Sequence, residues 1–315
     1  MAINTVVEGN KYSTTTLDST VFELIKYRSP ILSMIPQESL LGNSLTYDVI
    51  TTEATVNFYN PGDTWVENTP VLTQYTVVLR ILGGDCDLDN FIVTTRSNQI
   101  NLQATALNNK AKVIRDTWLD TFYYGKNSTS PKEFDGMHTL MTSTTYNTVH
   151  AGATGSGTGT ALSINRLRMA IDLMRTDNPK IMVMSPGMLR SLTTYWDSVG
   201  DKLSQGPNMF GGLVPHFDSI PIYVDDHIVD TETAASDAYT AKTGGANTSI
   251  FILTFGPEAV SGVMAGTAPT VYPIGELETK DATRYRIKWY TAVKFEDIRT
   301  AAKVDGIIAA GTVTA

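Results

Sequence analysis

Three places in the sequence put reactive side chains at spacings that chemistry uses. Asp225-Asp226-His227 follows the alternating apolar residues Ile220, Ile222 and Val224. Carboxylates beside an imidazole at a strand end can ligate a metal or act as a general base, which makes this the best enzyme-like cluster in the chain. No second His or Cys stands at ligand spacing from it and no GxSxG elbow occurs, so a polar strand terminus is the simpler reading. Asp85, Asp87 and Asp89 have the opening spacing of a calcium loop. The sixth position is Asn90 instead of glycine, however, and the twelfth is Arg96 instead of a bidentate glutamate. These acids instead predict a strand-to-helix turn with capping carboxylates. The glycine run at 155–159 lacks the GxxxxGK[ST] lysine of a phosphate loop, and no apolar strand precedes it. His138, His150 and His216 are isolated and read as surface or packing residues. The residues therefore predict no catalytic site, no metal site and no cofactor.

Composition agrees with that negative result. The chain has 315 residues, with 24 basic and 32 acidic side chains for a net charge of −8, and only four histidines. This length holds a full core and suits two domains. The single cysteine, Cys86, excludes an internal disulfide framework. The start, MAINTVVEGNKY, has no basic-then-apolar signal pattern, and no 18-residue apolar run exists. Neither export by a standard signal nor a membrane-spanning helix is expected. A negative balance also argues against tight wrapping of DNA, which needs clustered Lys and Arg.

The elements that must position these residues are unusually extended. Leu17, Val21, Leu24, Ile25, Ile31 and Leu32 sit at roughly helical spacing in an N-terminal arm that Pro30 interrupts and Pro36 ends. Residues 45–56 and 71–82 read as two strands, Leu45, Tyr47 and Val49 answering Tyr75, Val77, Leu79 and Ile81, around the turn Asn60-Pro61-Gly62-Asp63. With about twelve residues per leg the hairpin reaches roughly 40 Å. Ile100, Ala104, Leu107, Ala111, Ile114, Trp118 and Phe122 then mark a helix over 96–124, with Thr94 or Thr95 as cap and Gly125 as stop. Asn109, Lys110, Lys112, Arg115 and Asp116 fall on its other face. Beyond it come a helix from Ser163, a buried strand at 180–184, and a helix from Ser185-Pro186 to about Trp196. A loop at 198–215, a strand at 220–224, an exposed insertion at 230–248, a buried strand at 249–254 and an alternating strand at 284–296 complete the pattern. Extended parts of this kind bury too little within one subunit and point to assembly.

In this order the parts resemble the major capsid protein of tailed bacteriophages, the Hong Kong 97 fold, across nearly the whole chain. The segments that carry the resemblance are FDGMHTLM at 134–141, PKIMVMSPGMLRSL at 179–192, HFDSIPIYVDDHIV at 216–229, IFILTFGPEAVSGVMAG at 250–266 and the tail at 285–307. The resemblance implies an α+β capsid fold with an N-terminal arm at 1–42 and an E-loop hairpin at 43–84. A P domain at 85–162 would contain the spine helix 95–124. An A domain at about 163–270 and closing strands at 271–315 would follow. It further implies self-assembly of many copies into hexamers and pentamers of an icosahedral virion shell that encloses double-stranded DNA without sequence-specific binding. Other partners would be a portal protein and, as in some members of the family, a scaffolding or decoration protein, with no membrane.

On that reading Phe58, Tyr59, Trp65 and Val66 near the hairpin tip, with Leu17, Val21 and Leu24 in the arm, are the intersubunit contact candidates. Some members of the family crosslink an E-loop lysine to a neighbour. No lysine lies between Lys26 and Lys110, so a shell held without covalent links is expected. The alternatives are an encapsulin-type nanocompartment and an α+β enzyme using Asp225, Asp226 and His227.

Overall fold

The computed structural model describes residues 31–96, 102–141, 148–151, 159–200, 203–207, 212–235, 238–266, 270–309 and 311–314. Helix α1 (Ile31–Met34) leads into β1 (Gln37–Leu40), which adds in parallel to β13 (Val260–Ala265). The long β15 (Lys280–Phe295) organises that sheet. β13 and β14 (Thr270–Leu277) line one edge of it, and β4 (Arg80–Asp89) lines the other, since Lys288 faces Thr270 on one side and Gly83 on the opposite side. The expected alternation is clear over residues 287–290, where Ile287 and Trp289 are buried and Lys288 and Tyr290 less so, whereas residues 283–286 are all half-buried. From Thr291 to Phe295 every residue is buried, because both faces are covered there.

The hairpin comprises β2 (Ser44–Thr52) and β3 (Val71–Val78), with Leu45, Tyr47 and Val49 facing Val77, Tyr75 and Thr73. Its strands are shorter than the sequence pattern suggests. At the handover the Leu79 amide donates to the Asn43 carbonyl at 2.9 Å, and from Arg80 the chain exchanges β2 for β15 as its partner. Ile81 belongs to that second ladder, opposite Tyr290, and not to the hairpin.

Asp89 caps helix α2 (Asn90–Arg96), its Oδ1 accepting from the amides of Phe91 and Ile92 at 2.9 and 3.2 Å. Thr95 lies inside that helix, its hydroxyl bonded to the Phe91 carbonyl, and is no cap. Helix α3 (Leu102–Tyr124) is the spine. Ile114, Trp118, Leu119, Phe122 and Tyr123 are buried along it, whereas Ala111 is exposed. Lys110 takes the place expected of Ala111: its aliphatic stem lies over Gly84, where a Cβ would strike it. Gly125 ends the helix as expected, because a Cβ there would collide with the Phe134 carbonyl oxygen. The short α4 (Met137–Leu140) then tucks back beneath it.

A seven-stranded sheet forms the second lobe, in the order β5-β16-β12-β6-β9-β8-β7. Its members are β5 (Thr148–His150), β6 (Lys180–Met184), β7 (Ser204–Pro207), β8 (Leu213–Phe217), β9 (Ile220–Val224), β12 (Asn247–Thr254) and β16 (Ala301–Ile308). The period of two along its central strands divides the interior. Ile181, Val183, Phe251 and Leu253 face the spine helix. Met182, Met184, Ile250 and Ile252 face the opposite core, with helices α5 (Ile164–Leu173) and α6 (Pro186–Val199). α6 has the predicted start, Ser185 Oγ accepting from the Met188 amide with proline next in the chain. Both segments read as loops contain strands. Residues 198–215 supply β7 and part of β8, and 230–248 contain the small hairpin β10 (Thr233–Ala235) and β11 (Ala238–Ala241). Each pair has at least one short strand without an apolar alternation, SQGP in the first and TAA in the second, which conceals the pairing.

Candidate functional site

The hairpin tip is the first candidate surface. Asp63 Oδ2 accepts from the Asn60 amide at 2.7 Å and the Asp63 amide returns a bond to the Asn60 carbonyl, which closes the predicted turn. Tyr59 stacks on Trp65 with centroids 4.5 Å apart, and its hydroxyl accepts from the Val66 amide. The tip is thus preorganised within one subunit, yet Trp65 remains 79% exposed, Val66 68% and Phe58 fully exposed. Val56, Val71 and Leu72 extend the apolar surface toward the base of the hairpin. The root is anchored by Tyr47, whose hydroxyl donates to the Phe295 carbonyl at 2.8 Å; burial pushes this phenol up to about 12. Of the other contact candidates, Leu17, Val21 and Leu24 lie outside the described residues.

Asp225, Asp226 and His227 do stand at the end of β9, but their side chains do not converge. Asp226 is exposed, while Asp225 is completely buried and accepts from the Tyr123 hydroxyl at 2.8 Å and from the His227 amide at 3.0 Å. His227 turns toward Asp116 on the spine, 3.9 Å away. A carboxylate enclosed in this way orders its own turn and fastens it to the spine helix; a substrate has no access to it. Asp85 and Asp87 are likewise committed, each gripped by two nitrogens of Arg286 or Arg284 across the β4–β15 ladder at 2.5–2.8 Å. These guanidinium bonds hold both carboxyls below the usual range.

Sequence reasoning missed a polar joint between the spine helix and the second lobe. Glu232, inside the segment read as exposed, is 1% exposed. It accepts from the Tyr124 hydroxyl at 2.6 Å and the Ser249 hydroxyl at 2.5 Å. His138 Nε2 lies 3.4 Å from Glu232, and its ring stacks on Tyr239 at 3.7 Å. Asp305 meets His150 Nδ1 at 2.7 Å and Lys303 Nζ at 3.4 Å. The one available signal was the pair of charges in AAKVDGII at 301–308, which share a strand face inside an otherwise apolar run.

No protein-family model and no curated protein matches the chain. Solved structures do. The holo-SrpI encapsulin complex from Synechococcus elongatus PCC 7942 superposes with a TM-score of 0.69 at 12% identity, covering 100% of this chain and 99% of that one. The capsid of an empty GTA particle gives 0.65 at 14% identity, over 88% and 97% of the two chains. Mycobacterium phage Bobi gives 0.60 at 12%, over 96% and 99%. The chain has the Hong Kong 97 capsid fold. In the terms of that fold, α3 is the spine helix and β2–β3 the E-loop. At such identities the likeness is one of architecture, so residue roles rest on the geometry above.

Proposed function

We propose that this chain is the structural subunit of a non-covalent icosahedral shell, the major capsid protein of a tailed phage that encloses double-stranded DNA. The observation that carries the reading is that shell-subunit structures superpose on this chain over nearly its whole length. The arm at 1–42, the E-loop at 43–84, the P domain at 85–162, the A domain at 163–270 and the closing strands at 271–315 are assigned on the same reading. Copies then meet through the exposed apolar tip of the hairpin, with Phe58, Trp65 and Val66 as anchors. The net charge of −8 suits a container that does not grip phosphate.

The test is electron microscopy of the protein expressed alone and with its neighbouring genes. Uniform shells or ring-shaped capsomers are expected, and a monodisperse monomer at every concentration overturns the proposal. The whole-length superposition on an encapsulin supports a second reading, a compartment with protein cargo. The content of purified native particles separates the two: nuclease-protected DNA for a capsid, an enclosed protein for an encapsulin.

A further inference from the structure

Along β16, Ala302 and Val304 enter the core under α5, so Lys303 and Asp305 between and beyond them must point toward the spine-helix side. Both are almost completely buried, at 3% and 1% exposed. Groups from five other elements join them in one cluster around Asp305 and Glu232. α3 presents Tyr124, α4 presents His138, β5 presents His150, β12 presents Ser249, and the β10–β11 unit presents Glu232 and Tyr239. The site holds two carboxylates and one ammonium, walled by Phe251, whose ring meets that of His138 edge-on at 4.9 Å.

Two peripheral elements depend on this cluster more than the central strands do. Asp305 Oδ2 accepts from the Tyr239 amide at 3.4 Å, tying down β11, and its Oδ1 bonds to His150, tying down β5. Tyr239 also covers the His138 ring. β5, β10 and β11 have three, three and four residues, and the β10–β11 ladder is interrupted between Thr233 and Ala234. At the rim, Lys242 pairs with Asp120 on the spine and lies over the Tyr124 ring. We propose that the cluster is an acid-released latch, in which protonation of His138 frees the β10–β11 hairpin from the seven-stranded sheet, while the central strands stay paired and β5 stays tied through the His150–Asp305 pair.

The sign follows from the buried groups. Burial pushes the His138 imidazole down, against the pull of Glu232, so the folded state takes up its proton less readily than the unfolded chain. Stability from this site is therefore lost as pH falls below the ordinary histidine value of 6.5. For Asp305 burial pushes up, but the His150 bond and the Lys303 charge outweigh it and hold the carboxyl below 3.8, which adds a second loss at still lower pH.

Amide hydrogen exchange on the full chain, corrected for intrinsic pH dependence, tests the latch at about pH 7 and about pH 5. Peptides covering 231–246 should lose protection by about tenfold or more, as one proton per latch changes an opening equilibrium about tenfold per pH unit, whereas those covering 148–151 should keep theirs because the His150–Asp305 pair tightens in acid. Peptides 180–184 and 250–254 should keep theirs. His138→Phe keeps the ring stack and removes the titrating group, and should preserve hairpin protection at the lower pH. Loss of protection in all strands together, or unchanged acid opening in H138F, overturns the proposal. Should H138F fail to fold, NMR titration of the wild-type imidazole decides: a His138 already charged at neutral pH overturns it, and one that first charges as the hairpin opens supports it.

Discussion

At the scale of single residues, Asp225 fastens its own turn to the spine helix through the Tyr123 hydroxyl. Asp225 was conspicuous in the sequence because acid-acid-His at a strand end is a pattern that enzymes use. Its partner Tyr123 was hidden at the end of a helix more than a hundred positions away, a distance that periodicity does not bridge. Burial and the neighbouring carboxylate raise the Tyr123 phenol well above its usual range, so it stays a donor at any ordinary pH. Tyr123→Phe should leave the buried carboxylate short of one donor and cost about 1–3 kcal/mol, read as a lower urea midpoint with unchanged slope. Asp226→Ala, on the exposed neighbour, should stay within about 0.5 kcal/mol of wild type. Equal losses for the two would show that Asp225 is not held as described. Lys294 follows the same logic. Burial pulls its ammonium down, but Glu296 at 2.9 Å and Glu38 at 3.2 Å outweigh this and raise it, which ties β15 to β1.

At the scale of elements, legibility tracked the apolar pattern. The spine helix, the strands at 180–184 and 220–224, the cap at Ser185 and the turn at 60–63 were all readable, because each carries its own periodicity or turn chemistry. Strand pairs made from SQGP with LVPHF, or TAA with AYTA, were not, since their pairing is imposed by the lobe to which they attach. The switch of the chain from β2 to β15 at residue 80 was invisible for another reason: one alternation runs through both ladders. Two predictions belong here. Trp118 stacks on Trp289 at 5.6 Å and donates to Thr291 Oγ1 at 3.0 Å, joining the spine to β15. Trp118→Ala should cost about 3–5 kcal/mol and erase most near-ultraviolet dichroism. Asp218 and Ser219, with φ of 45° and 69°, make the two-residue turn between β8 and β9 in a conformation that glycine tolerates best. Ser219→Gly should therefore stabilise the chain by about 0.5–1 kcal/mol, visible as a higher urea midpoint.

For the whole molecule, the decisive contrast is between closed interiors and an open extremity. Both cores are sealed by the chain itself, and the seven-stranded sheet serves each with one face, so the folded subunit does not need a neighbour to complete them. The hairpin tip contributes nothing to either core. Stability and assembly should consequently separate under mutation, which would not happen if Trp65 were a misplaced core residue. Replacing Phe58 and Trp65 together by serine should move the unfolding free energy of the isolated subunit by no more than about 1 kcal/mol. The loss at the contact is larger. Burying each ring against a neighbour contributes about 1.5–3 kcal/mol, so the double substitution weakens one contact by roughly a hundred- to ten-thousand-fold. In a closed shell every subunit both gives and receives that contact, which makes the penalty recur at each copy and steepens the concentration dependence of assembly. Gradient sedimentation of F58S/W65S should find capsomers or free subunits at concentrations where the wild type sediments as shells. Wild-type-like shells from the variant would remove the tip from the interface, and a subunit that unfolds would show that the tip serves its own fold.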